Sequence, residues 1–225
     1  KSVPTRVTMG IIAFFNACTC IEKADYEKII AFAKKYHIAI IHDNAYSEIE
    51  YDGRTGFSFL SVPGAKEVGI EFNSLSKTYN LTGIRISFAL GNKELIQKFK
   101  TVRSQFDYGT SFIVQKAAVA ALTGPQEGVR KQCAAYEERR DALCGGLNSI
   151  GWKTPYSEGT MFVWAPLPKG YTSSEKFCMD LLENTGVLCT PGSAFGSEGE
   201  GHVRFALVLP PEEIKKAVEA VGAWL

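Results

Sequence analysis

Short apolar runs alternate with amphipathic helical stretches through the first half of the chain. Residues 9–15, 38–41, 68–72 and 84–90 are apolar runs that predict four buried strands. Between the first two, residues 22–36 carry Tyr26, Ile29, Ile30 and Ala33 at helical spacing and predict an amphipathic helix. Asn92 is placed to cap a helix whose Leu95, Ile96, Phe99 and Val102 share one face. Thr110 or Ser111 opens the next helix, which is apolar nearly all round and is expected to be buried. Gly124-Pro125 ends it. A long helix then runs over 126–149, with Val129, Cys133, Tyr136, Leu143, Leu147 and Ile150 in near-heptad spacing.

From Gly151 onward the pattern changes. Residues 152–155, 160–166, 187–190 and 202–209 predict strands, and 173–185 predicts a helix. Pro211 stands where proline opens a last helix. The chain therefore reads as α/β. A large unit over 1–125 has a parallel or mixed sheet covered by helices, a connecting helix spans 126–150, and a small α+β unit spans 151–225. In such sheets ligands gather at the carboxyl ends of strands. Asn16, Asp43 and Lys77 each follow a predicted strand, so they are expected to converge on one edge.

Composition narrows the function classes. Lys and Arg total 25 against 24 Asp and Glu, and the net charge of +1 supplies no field to recruit nucleic acid or a membrane surface. No run reaches the length of a membrane helix, and no signal peptide opens the sequence. The six cysteines form no Cys-x-x-Cys pair, which predicts reduced thiols and a cytoplasmic protein. His37, His42 and His202 lack metal-ligand spacing, so no metal site is expected. The first residue is Lys1, and Met9 sits inside an apolar stretch, so the chain is expected to begin in the middle of something longer.

The chemistry centres on Ser74-Leu-Ser-Lys77 and Arg85. A partly desolvated lysine can form a Schiff base with an aldehyde such as pyridoxal phosphate. Ser74 and Ser76 can donate hydroxyl hydrogen bonds to a phosphate, and Arg85, past the turn at Gly83, can pair one in a bidentate way. Asp43 can keep a pyridine nitrogen protonated, and Tyr46 can donate to a ring hydroxyl. Arg204, inside an otherwise apolar strand, needs an anionic partner: a substrate carboxylate or an internal glutamate. Taken singly, Lys77 also reads as a surface lysine and Asp43 as a turn former. The glycine-rich run from Gly192 to Gly201 lacks the Gly-x-Gly-x-x-Gly spacing of a dinucleotide loop.

Together these residues resemble the fold-type I pyridoxal-phosphate aminotransferases of class I/II. The phrases that carry the resemblance are His42-Asp-Asn-Ala-Tyr-Ser-Glu48, Ser74-Leu-Ser-Lys-Thr-Tyr-Asn-Leu-Thr-Gly-Ile-Arg85, Gly124-Pro-Gln126, Tyr136-Glu-Glu-Arg-Arg-Asp141, Thr190-Pro-Gly192 and His202-Val-Arg-Phe-Ala206. Pro63-Gly-Ala-Lys-Glu-Val68 and Pro168-Lys-Gly-Tyr-Thr172 lean toward the LL-diaminopimelate aminotransferase subgroup. The resemblance implies transfer of an amino group between an amino acid and a 2-oxo acid, with pyridoxal 5'-phosphate as cofactor. It implies Lys77 as the Schiff-base lysine that also moves the substrate's α-proton, and Asp43 and Tyr46 on the cofactor ring. It further implies Ser74, Ser76 and Arg85 on the phosphate, and Arg204 on the substrate carboxylate.

Three departures qualify that picture. The family's Asn-Pro-Thr-Gly loop reads Phe15-Asn16-Ala-Cys-Thr-Cys20 here, with Asn16 as the counterpart of its cofactor-binding asparagine. The tryptophan before the phosphate arginine is Ile84, and the glycine two residues after it is Ser87. The family's amino-terminal portion has no counterpart, so the large unit is expected to be an incomplete one with exposed apolar surface. Three readings stay open: an enzyme completed by that region or by a partner, such as a second copy in a homodimer; a truncated, non-catalytic remnant or interaction module of the same fold; and another activity of the same cofactor fold, such as β-elimination or decarboxylation.

Overall fold

The structure, a computed structural model, describes residues 20–225. The predicted strand over 9–15, and Asn16 with it, lie outside the described residues. The described residues form two compact units. One comprises Ile21–Glu48 with Thr55–Val129; the other comprises Cys20, Ile49–Arg54 and Arg130–Leu225.

The first unit is built on a three-stranded mixed sheet. Strand β1 (Ile40–Asp43) runs parallel to β2 (Gly69–Ser74), and β3 (Ser87–Gly91) returns antiparallel to β2. Helix α1 (Lys23–Tyr36) precedes β1 and buries Tyr26, Ile30 and Ala33 against Ile40, Phe59 and Val62. Asp25 in its first turn and Lys34 and Lys35 in its last suit the helix dipole. The helix ends at His37 in the left-handed region, and the Ile38 N–H is spent on the Ala33 carbonyl. That is why β1 starts at Ile40 and not at Ile38.

The single turns α2 (Ala65–Val68) and α3 (Leu75–Thr78) bracket β2. Strand β2 runs two residues past its apolar core, because Asn73 and Ser74 pair with Phe88 and Ser87. Strand β3 starts three residues later than its apolar run, because Thr82–Ile84 is a 3-10 turn and Arg85 adopts φ 52°.

Helix α4 (Lys93–Arg103) is capped as expected: Asn92 Oδ1 accepts from the Glu94 and Leu95 amides. Helix α5 (Phe112–Thr123) overturns an expectation. Only Ala118 is buried in it, whereas Phe112 is 70% and Ile113 80% exposed. A helix apolar on every side needs cover on every side, and the described residues cover one side.

The second unit holds an antiparallel sheet with β6 (His202–Ala206) between β4 (Phe162–Pro166) and β5 (Thr190–Pro191). Alternation along β4 and β6 sends Val163, Ala165, Val203 and Phe205 inward and leaves Phe162, Trp164, His202 and Arg204 on the other face. The inner face packs on helices α6 (Glu127–Ser149), α7 (Ser174–Thr185) and α8 (Pro211–Trp224), through residues such as Leu147, Phe177 and Val218. Pro211 stands at the start of α8 as expected.

The predicted strand over 152–155 is not a strand. The Thr154 amide and carbonyl bond to the Asn148 side chain, and buried Trp152 donates Nε1–H to the Pro166 carbonyl at 2.7 Å. These partners satisfy the backbone without a ladder. The strand expected over 187–190 shrinks to Thr190–Pro191, and the Val187 amide bonds instead to the Thr185 hydroxyl.

Two motifs prove architectural. Arg140, from the Tyr136–Asp141 stretch, is 2% exposed and grips both oxygens of Asp52 at 2.7 and 3.0 Å. It also donates to the Ser157 carbonyl and lies over the Tyr51 ring, so it ties Ile49–Arg54 to α6. In the glycine-rich run, a Cβ on Gly192 would strike the Gly199 and His202 carbonyls. Close backbone approach explains glycine there. We expect Gly192→Ala to destabilise the chain by roughly 1–3 kcal/mol, read as a lowered midpoint in urea denaturation.

Candidate functional site

Strand direction assembles the site. Parallel β1 and β2 end at the same edge of the sheet, where Asp43 pairs with Phe72 and the Asn44 amide adds one more bond to the Phe72 carbonyl at 2.8 Å. Antiparallel β3 begins at that edge, Ser87 opposite Ser74, so the approach to β3 returns Arg85 there. Asp43, Ser74, Ser76, Lys77 and Arg85 therefore meet from three separate stretches of chain. The return of Arg85 depends on the antiparallel strand, a feature that apolar runs alone do not reveal.

Lys77 sits half-buried in α3, the turn that follows β2. Its Nζ lies over the Tyr46 ring, 5.9 Å from the centroid. Ser74 caps this turn: its Oγ accepts from the Ser76 amide at 3.2 Å and keeps its own O–H to donate. Ser76 is buried, and the Thr82 hydroxyl holds its carbonyl. Arg85 is exposed and spends one N–H on the Thr82 carbonyl at 3.1 Å, leaving most of its donors available. The Asp43 carboxylate ends β1 exposed.

A cleft of about 420 Å³ opens beside this edge, lined by Ser74, Ser76, Arg85, Ser87, Arg103 and Thr110 among others. Asp43, Tyr46 and Lys77 are not among its lining residues. Two of its residues escape sequence reading. Arg103 and Asp107 pair across the end of α4, Nε to Oδ2 at 2.6 Å, and the Gly109 amide holds the second carboxylate oxygen. The Arg103 hydrogen bond, with help from Gly109, keeps the Asp107 carboxyl below its ordinary range. The i,i+4 spacing of Arg103 and Asp107 announces their pairing but not their place beside Ser74. Two guanidinium groups against one carboxylate, among several hydroxyls, give the cleft hydrogen-bond donors of the kind that suit an anion.

Arg204 lies in the second unit. Its guanidinium carbon lies over the ring of Phe162, 4.2 Å from the centroid, and over that of Phe195, 4.4 Å from it. It forms no ion pair among the described residues, so the internal glutamate reading does not hold there. Beside it Trp164 stacks on His202, whose Nδ1 is buried without a hydrogen-bond partner among the described residues. No cluster of three or more His, Cys, Asp or Glu suited to a metal occurs among the described residues. No described helix is long and apolar enough to cross a membrane.

Comparison with known proteins decides the family. The model for aminotransferase class I and II matches residues 17–221. The chain belongs to that family. It is 47% identical over 194 residues to LL-diaminopimelate aminotransferase of Moorella thermoacetica, covering 86% of this chain and 50% of that protein. It is 42% identical over 206 residues to glutamate-pyruvate aminotransferase AlaC of Escherichia coli K12, covering 91% of this chain and 50% of AlaC. Among solved structures, substrate-bound BacF from Bacillus subtilis superposes with a TM-score of 0.87 at 38% identity, covering 91% of this chain and 52% of BacF. The aromatic aminotransferase of Pyrococcus horikoshii OT3 gives 0.87 at 28% identity, covering 92% and 56%. The chain spans about half the length of the curated relatives it matches, and its fold is the corresponding part of the aminotransferase fold.

The cleft makes a direct prediction. Inorganic phosphate titrated by calorimetry binds the wild-type chain, and Arg85→Ala weakens that binding roughly tenfold, the worth of a charge-assisted hydrogen bond. Asp107→Asn strengthens it, because Arg103 is released toward the cleft.

Proposed function

We propose that this chain carries the lysine half of a pyridoxal-phosphate site and acts in transfer of an amino group between an amino acid and a 2-oxo acid. The observation that carries the reading is the single sheet edge that gathers Lys77, Asp43 and Tyr46 beside a cleft of hydroxyl and guanidinium donors. The residues fit the cofactor. Ser74, Ser76 and Arg85 are a phosphate-binding donor set, and Asp43 presents an exposed carboxylate for a pyridine nitrogen. When bound, pyridoxal phosphate supplies an aldehyde and an electron-withdrawing ring that stabilises negative charge at an amino acid's α-carbon.

Each side chain then has a task. Lys77 would hold the cofactor's aldehyde through Nζ and would carry the proton to and from the substrate's α-carbon. Asp43 keeps the ring nitrogen protonated, and Tyr46 donates to the ring hydroxyl. Ser74, Ser76 and Arg85 hold the phosphate, with Asn16 as a further ring contact. Arg204 receives the substrate α-carboxylate. Its contacts with the Phe162 and Phe195 rings consume none of its N–H donors, which suits it to a planar anion.

The relatives' names support LL-diaminopimelate as the amino donor. Homodimeric assembly and cytoplasmic residence belong to the same proposal, and the exposed Phe112 and Ile113 of α5 support a further contact surface.

The test is an exchange assay with pyridoxal phosphate, a 2-oxo acid, and LL-diaminopimelate, glutamate or alanine in turn. The wild-type chain forms the new amino acid. Lys77→Ala forms none, and Arg204→Leu raises the donor KM by about tenfold or more, as expected for a lost charged contact. Turnover by Lys77→Ala at the wild-type rate would remove the lysine from its role.

A further inference from the structure

On the face of β1 opposite Asp43, one buried carboxylate engages the residues on either side of it. The pleat points His42 and Asn44 one way and Asp43 the other. The register sets His42 directly across from Glu71 of β2. Glu71 is 5% exposed. His42 Nδ1 lies 3.2 Å from one of its oxygens, the Ser58 hydroxyl lies 2.9 and 3.0 Å from the two, and the Asn44 side chain also bonds it. The far side of the imidazole is held too: Tyr26 Oη lies 2.9 Å from Nε2, and the rings of Tyr26 and Phe59 pack on it. A hydrogen-bond chain thus runs from α1 through His42 to Glu71.

An apolar pair would hold β1 to β2 at lower cost, as Ile41 and Ile70 do one position earlier. A carboxylate withdrawn from water costs several kcal/mol unless its oxygens are satisfied. Burial alone raises the Glu71 pKa, but hydrogen bonds from His42, Ser58 and Asn44, with the His42 charge, outweigh it and hold the carboxyl below its ordinary range. The buried group is therefore a charged anchor, and its partners include the two residues that flank Asp43.

We propose that Glu71 is a positioning residue: through His42 and Asn44 it fixes the carboxyl end of β1 and so holds Asp43 in place for the cofactor's ring nitrogen. The proposal rests on the pyridoxal-phosphate reading above. Ser58 acts on Asp43 at one further remove, from outside the sheet.

The experiment titrates the chain with pyridoxal phosphate and follows the visible absorbance band, its half-saturation concentration and the pH at which it changes. Folded protein is checked by circular dichroism. Glu71→Leu, close in volume and apolar, leaves His42, Ser58 and Asn44 without their acceptor and lowers stability, so it is read under conditions where circular dichroism shows it folded. It raises the half-saturation concentration about tenfold, the size that outer-layer partners carry at metal sites, and displaces the pH transition. Glu71→Gln, which keeps an acceptor oxygen, restores most of the affinity. Ser58→Ala moves both readouts the same way by less, and decides the matter if Glu71→Leu does not fold. A wild-type chain without the band overturns this inference together with the reading it rests on. A wild-type band with unchanged saturation and pH transition in the folded variants overturns this inference alone.

Discussion

The parallel pairing of β1 with β2 is the constraint on which the candidate site depends. Two strands pointing the same way must end at the same edge, so Asp43 and Lys77, 34 positions apart in sequence, are brought to one edge of the sheet. The antiparallel return of β3 then adds Arg85. A one-residue slip between β1 and β2 would turn Asp43 to the face now held by His42. The His42–Glu71 pair makes that slip expensive, because it would strand a buried carboxylate away from its donors. Register, charge burial and site geometry are thus one problem with one solution.

Two arginines show how environment assigns a role to the same side chain. Arg140 is buried, saturated by Asp52, Asp141 and the Ser157 carbonyl, and serves as a joint. Arg204 is half-buried, faced by two phenyl rings and without an ion pair among the described residues. Aromatic faces stabilise a guanidinium without consuming its hydrogen-bond donors. The first arginine therefore has its donors taken by protein groups, whereas the second is held mainly by aromatic contact.

Much of this was legible in the residues. The period of α1, the cap at Asn92 and the proline opening α8 are local signals, and local chemistry fixes them. What was not legible depends on distant partners. Trp152–Pro155 looks like a strand, but Asn148 supplies the hydrogen bonds that a neighbouring strand would have made. The apolar helix α5 looks buried, yet its cover is not supplied by the described residues. The glycine-rich run lacks the spacing of a dinucleotide loop, and the reason for Gly192, the backbone of Gly199 and His202 packed against it, comes from distant partners that the residues do not show. Arg103 and Asp107 advertise only their mutual spacing, and their place in the cleft comes from where α4 ends. The grouping of Ser74, Ser76 and Lys77 was legible because they are adjacent in sequence, whereas Arg85, eight residues on, reaches the same edge only through the antiparallel β3.

The central claim is that Lys77 is the lysine that takes the cofactor. Treating the chain with pyridoxal phosphate, reducing with borohydride and mapping the tagged peptide by mass spectrometry tests it most directly. The label is expected on the peptide containing Lys77, with none on that position in Lys77→Ala and no band remaining in its spectrum. A label spread over surface lysines, or a band that survives the substitution, would contradict it.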